Sequence, residues 1–149
     1  MTEPLKDILL VEDNADDVEL IELGLQLHHL ANRVVIAHDG EEAINAILGE
    51  NCFRLVMLDL KLPKLNGLGV LKKIRANART KNLPVVILTS STQPEDMLAS
   101  YDGGANSYVR KSVDFNEFAA AVAAVGLYWT AINEAPCSVR FVIPARALL

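Results

Sequence analysis

Short runs of uninterrupted apolar residues alternate along the chain with longer stretches in which apolar positions return every three or four residues. Ile8-Leu9-Leu10-Val11, Leu55-Val56-Met57-Leu58 and Val85-Val86-Ile87-Leu88 are apolar at both odd and even positions, the pattern of parallel strands covered on both faces. Residues 33–37 form a shorter β-branched run, and residues 107–110 supply a fifth strand. Between them lie helical patterns. Asn14 caps the first, its side chain accepting from the backbone N–H of Asp16 or Asp17; Val18, Ile21 and Leu25 form the apolar stripe, and the helix ends near His29. Asp39-Gly40 turns into a helix carrying Ala43, Ile44, Ile47 and Leu48, which Gly49 stops. Leu68, Leu71 and Ile74 mark the third. Pro94 sits in the first turn of the fourth, which Gly103-Gly104 ends, and Asp114 caps a last helix running to about residue 131. Five β–α units in succession predict an α/β domain, a doubly wound five-stranded parallel sheet with helices on both faces. The domain spans residues 5–131, and residues 132–149 form a C-terminal tail expected to pack on the domain or on a partner subunit.

A chain of 149 residues is long enough for one such domain with a self-sufficient core. Its net charge of -5, with the basic residues scattered, argues against a nucleic-acid surface. Two cysteines, Cys52 and Cys137, make no disulfide framework and have no metal-ligand spacing, so both are expected to be reduced. The adjacent His28 and His29 point to different faces of a helix and do not make a metal pair. The N-terminus has no secretory pattern, and no apolar run is expected to approach transmembrane length. A cytoplasmic protein with no membrane contact is the expectation.

What changes the picture is where the charged residues fall. Glu12 and Asp13 follow the first strand, Asp59 the third and Lys111 the fifth, while Thr89 adds a hydroxyl at the end of the fourth. In an open parallel sheet the carboxyl ends of the strands are where ligands bind. Neighbouring strands would bring three carboxylates, a hydroxyl and an ammonium to one point. Glu12, Asp13 and Asp59 offer the hard oxygens Mg²⁺ prefers, and a dication relieves their mutual repulsion. Asp59 is then a candidate nucleophile toward phosphorus, with Lys111 and Thr89 as donors to phosphoryl oxygens.

These residues, together with Asp59-Leu60-Lys61-Leu62-Pro63 and Asn66-Gly67, resemble the receiver domain of two-component response regulators over residues 6–130. The resemblance implies a flavodoxin-like sheet with strand order 2-1-3-4-5. It implies that Asp59 accepts a phosphoryl group from a histidine kinase, with Mg²⁺ held by Glu12 or Asp13, Asp59 and the backbone carbonyl of Lys61. By the same resemblance Thr89 and Tyr108 are a switch pair, and Lys61 and Ser91 tune hydrolysis of the phosphoaspartate. One position departs from the pattern. The family has proline after the lysine, in a cis peptide that aims the ammonium inward; here Ser112 follows Lys111, leaving either a non-proline cis bond or a trans path. A phosphorelay intermediate, passing the group to a histidine phosphotransfer protein, is an alternative reading. An aspartyl-phosphate phosphatase is another, disfavoured because Lys61 stands where such enzymes need a second acid. A flavin or nucleotide site is disfavoured because no glycine-rich turn follows the first strand.

With no room for a DNA-binding domain after the last helix, output is expected through protein contact. From Phe118 to Ile132 the chain carries no charge. A helix apolar all round is buried on more than one side, so Val122, Val125, Tyr128, Trp129 and Ile132 are candidate interface residues of a homodimer that the tail, residues 139–149, also joins. The long first helix and residues 89–96 are similar to stand-alone regulators paired with bacterial phytochromes.

Overall fold

The computed structural model describes residues 7–49 and 52–136. Five parallel strands, β1 (Ile8–Val11), β2 (Val34–Ala37), β3 (Leu55–Leu58), β4 (Val85–Thr89) and β5 (Ser107–Arg110), form one sheet in the order β2-β1-β3-β4-β5. The helices between and after them are α1 (Ala15–Gln26), α2 (Gly40–Leu48), α3 (Gly67–Ala76), α4 (Pro94–Asp102) and α5 (Phe115–Leu127). A short 3₁₀ turn, Ala31–Arg33, precedes β2, and α5 continues into one π turn, Tyr128–Ile132.

The doubly apolar runs are the three central strands, and every residue of β1 and β3 is buried. Alternation sends their side chains to two separate cores. Leu9, Val11, Val56, Leu58, Val85 and Ile87 meet α2 and α3 through Ala43, Ile47, Val70, Leu71 and Ile74. Ile8, Leu10, Leu55, Met57, Val86 and Leu88 meet α1 and α5 through Ile21, Leu25, Phe118 and Val122. The edge strands β2 and β5 are half-covered, as the mixed composition of β5, though not of the wholly apolar β2, anticipates.

The second core depends on a close approach of α1 to α5. A Cβ on Gly24 would stand 2.8 Å from the carbonyl oxygen of Ala119 and 3.0 Å from Val122 Cβ. This contact decides how α5, uncharged from Phe118 onward, lies. Its buried side is Phe118, Val122, Ala123 and Gly126. Val122 is therefore core, not interface, because it is fully buried in the cluster formed by the sheet and α1. Val125 and Trp129 are partly buried against the same core, while Tyr128 and Ile132 are exposed. Residues Phe115–Ile132 also have the length and apolar composition of a membrane span, contrary to the expectation that no apolar run approaches that length. Here the helix is the outer layer over a sheet, which asks for an apolar stripe of the same length.

In contrast to α5, α4 is thinly anchored: Ser100 is its one buried residue, and Met97, Leu98 and Tyr101 are exposed. Cys52 is disulfide-bonded, against the expectation of a reduced thiol. The rarity of disulfides is a rule about compartments and does not decide the state of an individual cysteine. Cys137 and the tail residues 139–149 lie outside the described residues.

Candidate functional site

Each site residue is held by the strand it follows. The β1–β2 ladder runs one step past β1, where the Glu12 amide donates to the Ala37 carbonyl at 3.0 Å. Asn14 then caps α1, its Oδ1 accepting from the Asp17 amide at 3.0 Å, one of the two donors its sequence position allows. Likewise the Asp59 amide donates to the Val11 carbonyl at 3.1 Å, and the Lys111 amide to the Thr89 carbonyl at 2.8 Å. These bonds fix the backbone beneath every functional side chain.

Past Asp59 the chain turns sharply so that the Gly67 amide donates to the Leu60 carbonyl at 2.9 Å, and Asn66 caps α3 through the Gly69 amide at 2.9 Å. A Cβ on Gly67 would overlap the Asp59 carbonyl oxygen and stand 2.7 Å from Leu60 Cα. Glycine is required at this position because α3 begins against the backbone of the acidic residue itself.

Lys111 is the centre of the arrangement. Its Nζ donates to Glu12 Oε1 at 2.5 Å, Asp17 Oδ2 at 2.8 Å and Asp59 Oδ2 at 3.3 Å. The side chain is 10% exposed. Burial acts to lower the pKa of the ammonium, but hydrogen bonds to Asp17 and Glu12 and the charge of Asp59 outweigh it and hold the pKa above the usual lysine range. No peptide bond among the described residues is cis, so Lys111–Ser112 is trans, and the ammonium reaches the acids by that path. Ser112 Oγ instead organises the start of α5, accepting from the Asp114 amide at 3.0 Å and donating to Glu117 at 3.2 Å.

Glu12 is almost fully buried, and burial pushes its carboxyl up to about 7, with Asp59 adding to the rise and Lys111 and the Asn14 amide opposing it. Ligand oxygens of Glu12, Asp13 and Asp59 lie within 4.8 Å of one another. Buried carboxylate oxygens so close together suit a hard divalent cation, which relieves both their repulsion and the cost of charging Glu12. The residues present fit Mg²⁺. Asp59 is buried, and its two oxygens differ: Oδ1 accepts from the Leu60 amide at 2.7 Å, with the Lys61 amide at 3.5 Å, while Oδ2 faces Lys111. The Lys61 side chain is exposed.

Thr89 is fully buried, and its Oγ1 accepts from the Ser91 amide at 3.2 Å. Ser91 is buried too, and its hydroxyl donates to Asp96 on α4 while accepting from the Gln93 amide at 3.2 Å. Tyr108 pairs with Ile87 and Arg110 with Thr89, so alternation places the side chains of Thr89 and Tyr108 on the same face of the sheet. Tyr108 packs on the α2/α3 core with its hydroxyl buried and without a hydrogen-bond partner. An unsatisfied buried hydroxyl costs about 1–3 kcal/mol. Tyr108→Phe is accordingly expected to stabilise the fold by an amount in that range, seen as a higher midpoint in urea at unchanged slope.

The strand-end residues of the cluster are legible in the sequence, but Asp17, the partner of Lys111, and Asp96, the partner of Ser91, are not. In the sequence Asp17 stands out only as a possible amide partner of the Asn14 cap. Its geometric signal was present: helix side chains tilt toward the N-terminus, so an acid in the first turn of a helix that starts at the strand end leans back over that end.

Comparison with known proteins agrees with this geometry. Residues 8–123 match the response regulator receiver domain. The chain belongs to that family. Its receiver domain is a phosphoacceptor signalling domain, and the fold expected from the resemblance, including strand order 2-1-3-4-5, is the one observed. Response regulator Rcp1 of Synechocystis is 33% identical over 132 residues, covering 85% of this chain and 90% of Rcp1. A crystal structure of the Mn²⁺-bound form of Rcp1 superposes with a TM-score of 0.78 at 32% identity, covering 88% of this receiver and 99% of that chain. The phosphorylated cyanobacterial phytochrome response regulator RcpA gives a TM-score of 0.79 at 33% identity, covering 89% and 99% respectively. "Probable methanogenesis regulatory protein FilR2" of Methanothrix harundinacea is 34% identical over 134 residues, 87% of this receiver and 86% of FilR2.

Proposed function

We propose that Asp59 is the residue of this receiver that takes the phosphoryl group, from a histidine kinase, and that the phosphorylated form signals by protein contact. The supporting observation is the meeting of Lys111 with Glu12 and Asp59 at the carboxyl edge of the sheet. Asp59 Oδ2 is the oxygen left without a backbone donor, and it attacks phosphorus. The bond from phosphorus to the donor's imidazole nitrogen breaks, and its electron pair leaves with the imidazole. Lys111 and the Thr89 hydroxyl donate to the phosphoryl oxygens, the largest kind of contribution available to a reaction that is mainly positioning and charge neutralisation. Glu12, Asp13, Asp59 and the Lys61 carbonyl would hold Mg²⁺, which supplies further neutralisation of phosphoryl charge when bound. Small acyl phosphates serve as donors by the same attack, and the phosphoaspartate hydrolyses slowly.

In this reading Thr89 turns from the Ser91 amide toward the phosphoryl group, and Tyr108, on the same face, responds to the space it leaves. Lys61 acts on hydrolysis from its exposed position. Ser91, whose hydroxyl is committed to Asp96, acts through the β4–α4 connection. The similarity to RcpA, a phytochrome response regulator, favours a bacteriophytochrome as the kinase. Tyr128 and Ile132, exposed in the π turn that continues α5, and Leu23 and Leu27, exposed in α1 and at its C-cap, favour a homodimer through these helices.

Incubation with Mg²⁺ and acetyl phosphate, followed by intact mass and sedimentation, tests both parts. Wild type is expected to gain the mass of one phosphoryl group and Asp59→Asn none. A wild type with no mass gain would overturn the assignment, and a monomer in both states would overturn the homodimer.

A further inference from the structure

An ammonium has three hydrogens to donate, and in this receiver all three of Lys111's are taken by carboxylates. Two of those acids belong to the metal-binding cluster. The third, Asp17, does not: the three acids able to hold a cation are Glu12, Asp13 and Asp59. Yet the Asp17 contact, 2.8 Å, has the length of a full charge-assisted hydrogen bond, while the Asp59 contact is stretched to 3.3 Å. The ammonium therefore sits closer to Glu12 and Asp17 than to the phosphoacceptor.

Asp17 is also held in place. Its backbone amide is the one Asn14 caps, so the first turn of α1 is fixed while the side chain reaches across to β5's end. Its carboxylate is 30% exposed, against 1% for Glu12, so water can replace Lys111 at Asp17 but not at Glu12. Of the ammonium's three partners, Asp17 is the one that can let go at small cost.

We propose that Asp17 is a positioning residue that parks Lys111 in the unphosphorylated receiver and competes with the phosphoryl group for one of the ammonium's hydrogens. This rests on Asp59 as the acceptor. Phosphorylation places new anionic oxygens beside Lys111, the Asp17 bond gives way, and Asp17 turns to solvent. Asp17 thereby sets how readily the site accepts a phosphoryl group, without touching phosphorus or metal.

The test is a double-mutant cycle with Asp17→Asn, Asp17→Glu and Lys111→Ala. Asp17→Asn is isosteric and leaves the capped amide untouched. At saturating Mg²⁺ its initial rate of phosphorylation by acetyl phosphate, followed by intact mass, is expected to rise roughly two- to fivefold, the scale of a partly exposed ion pair. Asp17→Glu restores the wild-type rate. In the Lys111→Ala background Asp17→Asn has no effect, because Asp17 acts through the ammonium; an equal acceleration there would assign the effect to overall charge and overturn the proposal. A slower or unchanged rate in the single variant would also overturn it. A second readout needs neither metal nor phosphate: the ¹⁵N-resolved ammonium signal of Lys111 in Mg²⁺-free protein is expected to be sharp in wild type and Asp17→Glu and broadened by solvent exchange in Asp17→Asn. An unchanged signal would overturn the role of Asp17 even if wild type took no phosphoryl group, an outcome that by itself speaks only against Asp59 as acceptor.

Discussion

Lys111→Ala is expected to slow phosphorylation by about a hundredfold or more, the cost of losing one preorganised donor to developing phosphoryl charge, and at the same time to tighten Mg²⁺ binding. The two effects have one cause. In the resting protein the ammonium occupies Glu12 and Asp59, which are also the residues suited to a divalent cation. If Asp59 is the acceptor as proposed, removing the ammonium deletes a hydrogen-bond donor to the phosphoryl oxygens and frees the acids suited to the cation together. The same substitution leaves buried acids with no compensating cation, a change worth a few kcal/mol, on the order of 3–5 where one member of a buried pair is removed. Stability without metal should therefore fall, and added Mg²⁺ should recover more of it than it adds to wild type, since a ligand stabilises in proportion to its affinity for the folded state. Thermal melts with and without Mg²⁺, beside a calorimetric titration, check all three signs. Weaker Mg²⁺ binding in the variant would mean that lysine and metal do not share the site.

The second large effect needs no change in any charged group. Gly67→Ala places a methyl group on the carbonyl of Asp59 and against Leu60 Cα. Both obstacles are backbone, so no side-chain rotation relieves them. Either α3 lifts away from the strand end, or Asp59 is displaced from Lys111. Overpacking of this kind costs about 1–3 kcal/mol and occasionally more. In a domain of this size each kcal/mol lowers the melting temperature by roughly 2–4 °C. Chemical denaturation is expected to show a lower midpoint, and phosphorylation by acetyl phosphate should fall even where the protein remains folded. A variant with wild-type stability and wild-type rate would show that the turn after Asp59 has slack that its geometry does not reveal.

Much of this arrangement was legible because it is written locally. The central strands contain runs of uninterrupted apolar residues, as strands covered on both sides require, and the caps at Asn14, Asp39 and Asp114 lie within three residues of the amides they satisfy. The site was legible for a related reason: each of its residues stands at or just past the end of a strand, so finding the strands found the site. What escaped was long-range. Lys111 lies 94 residues from Asp17 in sequence, and nothing near either residue announces the other. The buried side of α5 escaped because its alanine-rich sequence has no polar face to mark the opposite side, and only the approach of Gly24 reveals it. Val122 was misplaced at an interface for that reason.

The contrast between α4 and the other helices has a consequence for how a signal leaves the site. Hydrogen exchange and local unfolding free energies follow the depth of burial, from near zero where few apolar groups are covered to the global value in the core. With Ser100 as its single buried residue, α4 lies at the soft end of that range, and Ser91's hydroxyl on Asp96 connects it to the loop after Thr89. A perturbation of one or two kcal/mol at Thr89 is too small to disturb β1 or β3 but large enough to re-seat a helix held so lightly. The receiver thus combines a rigid sheet that aligns the chemistry with one element whose position is inexpensive to change.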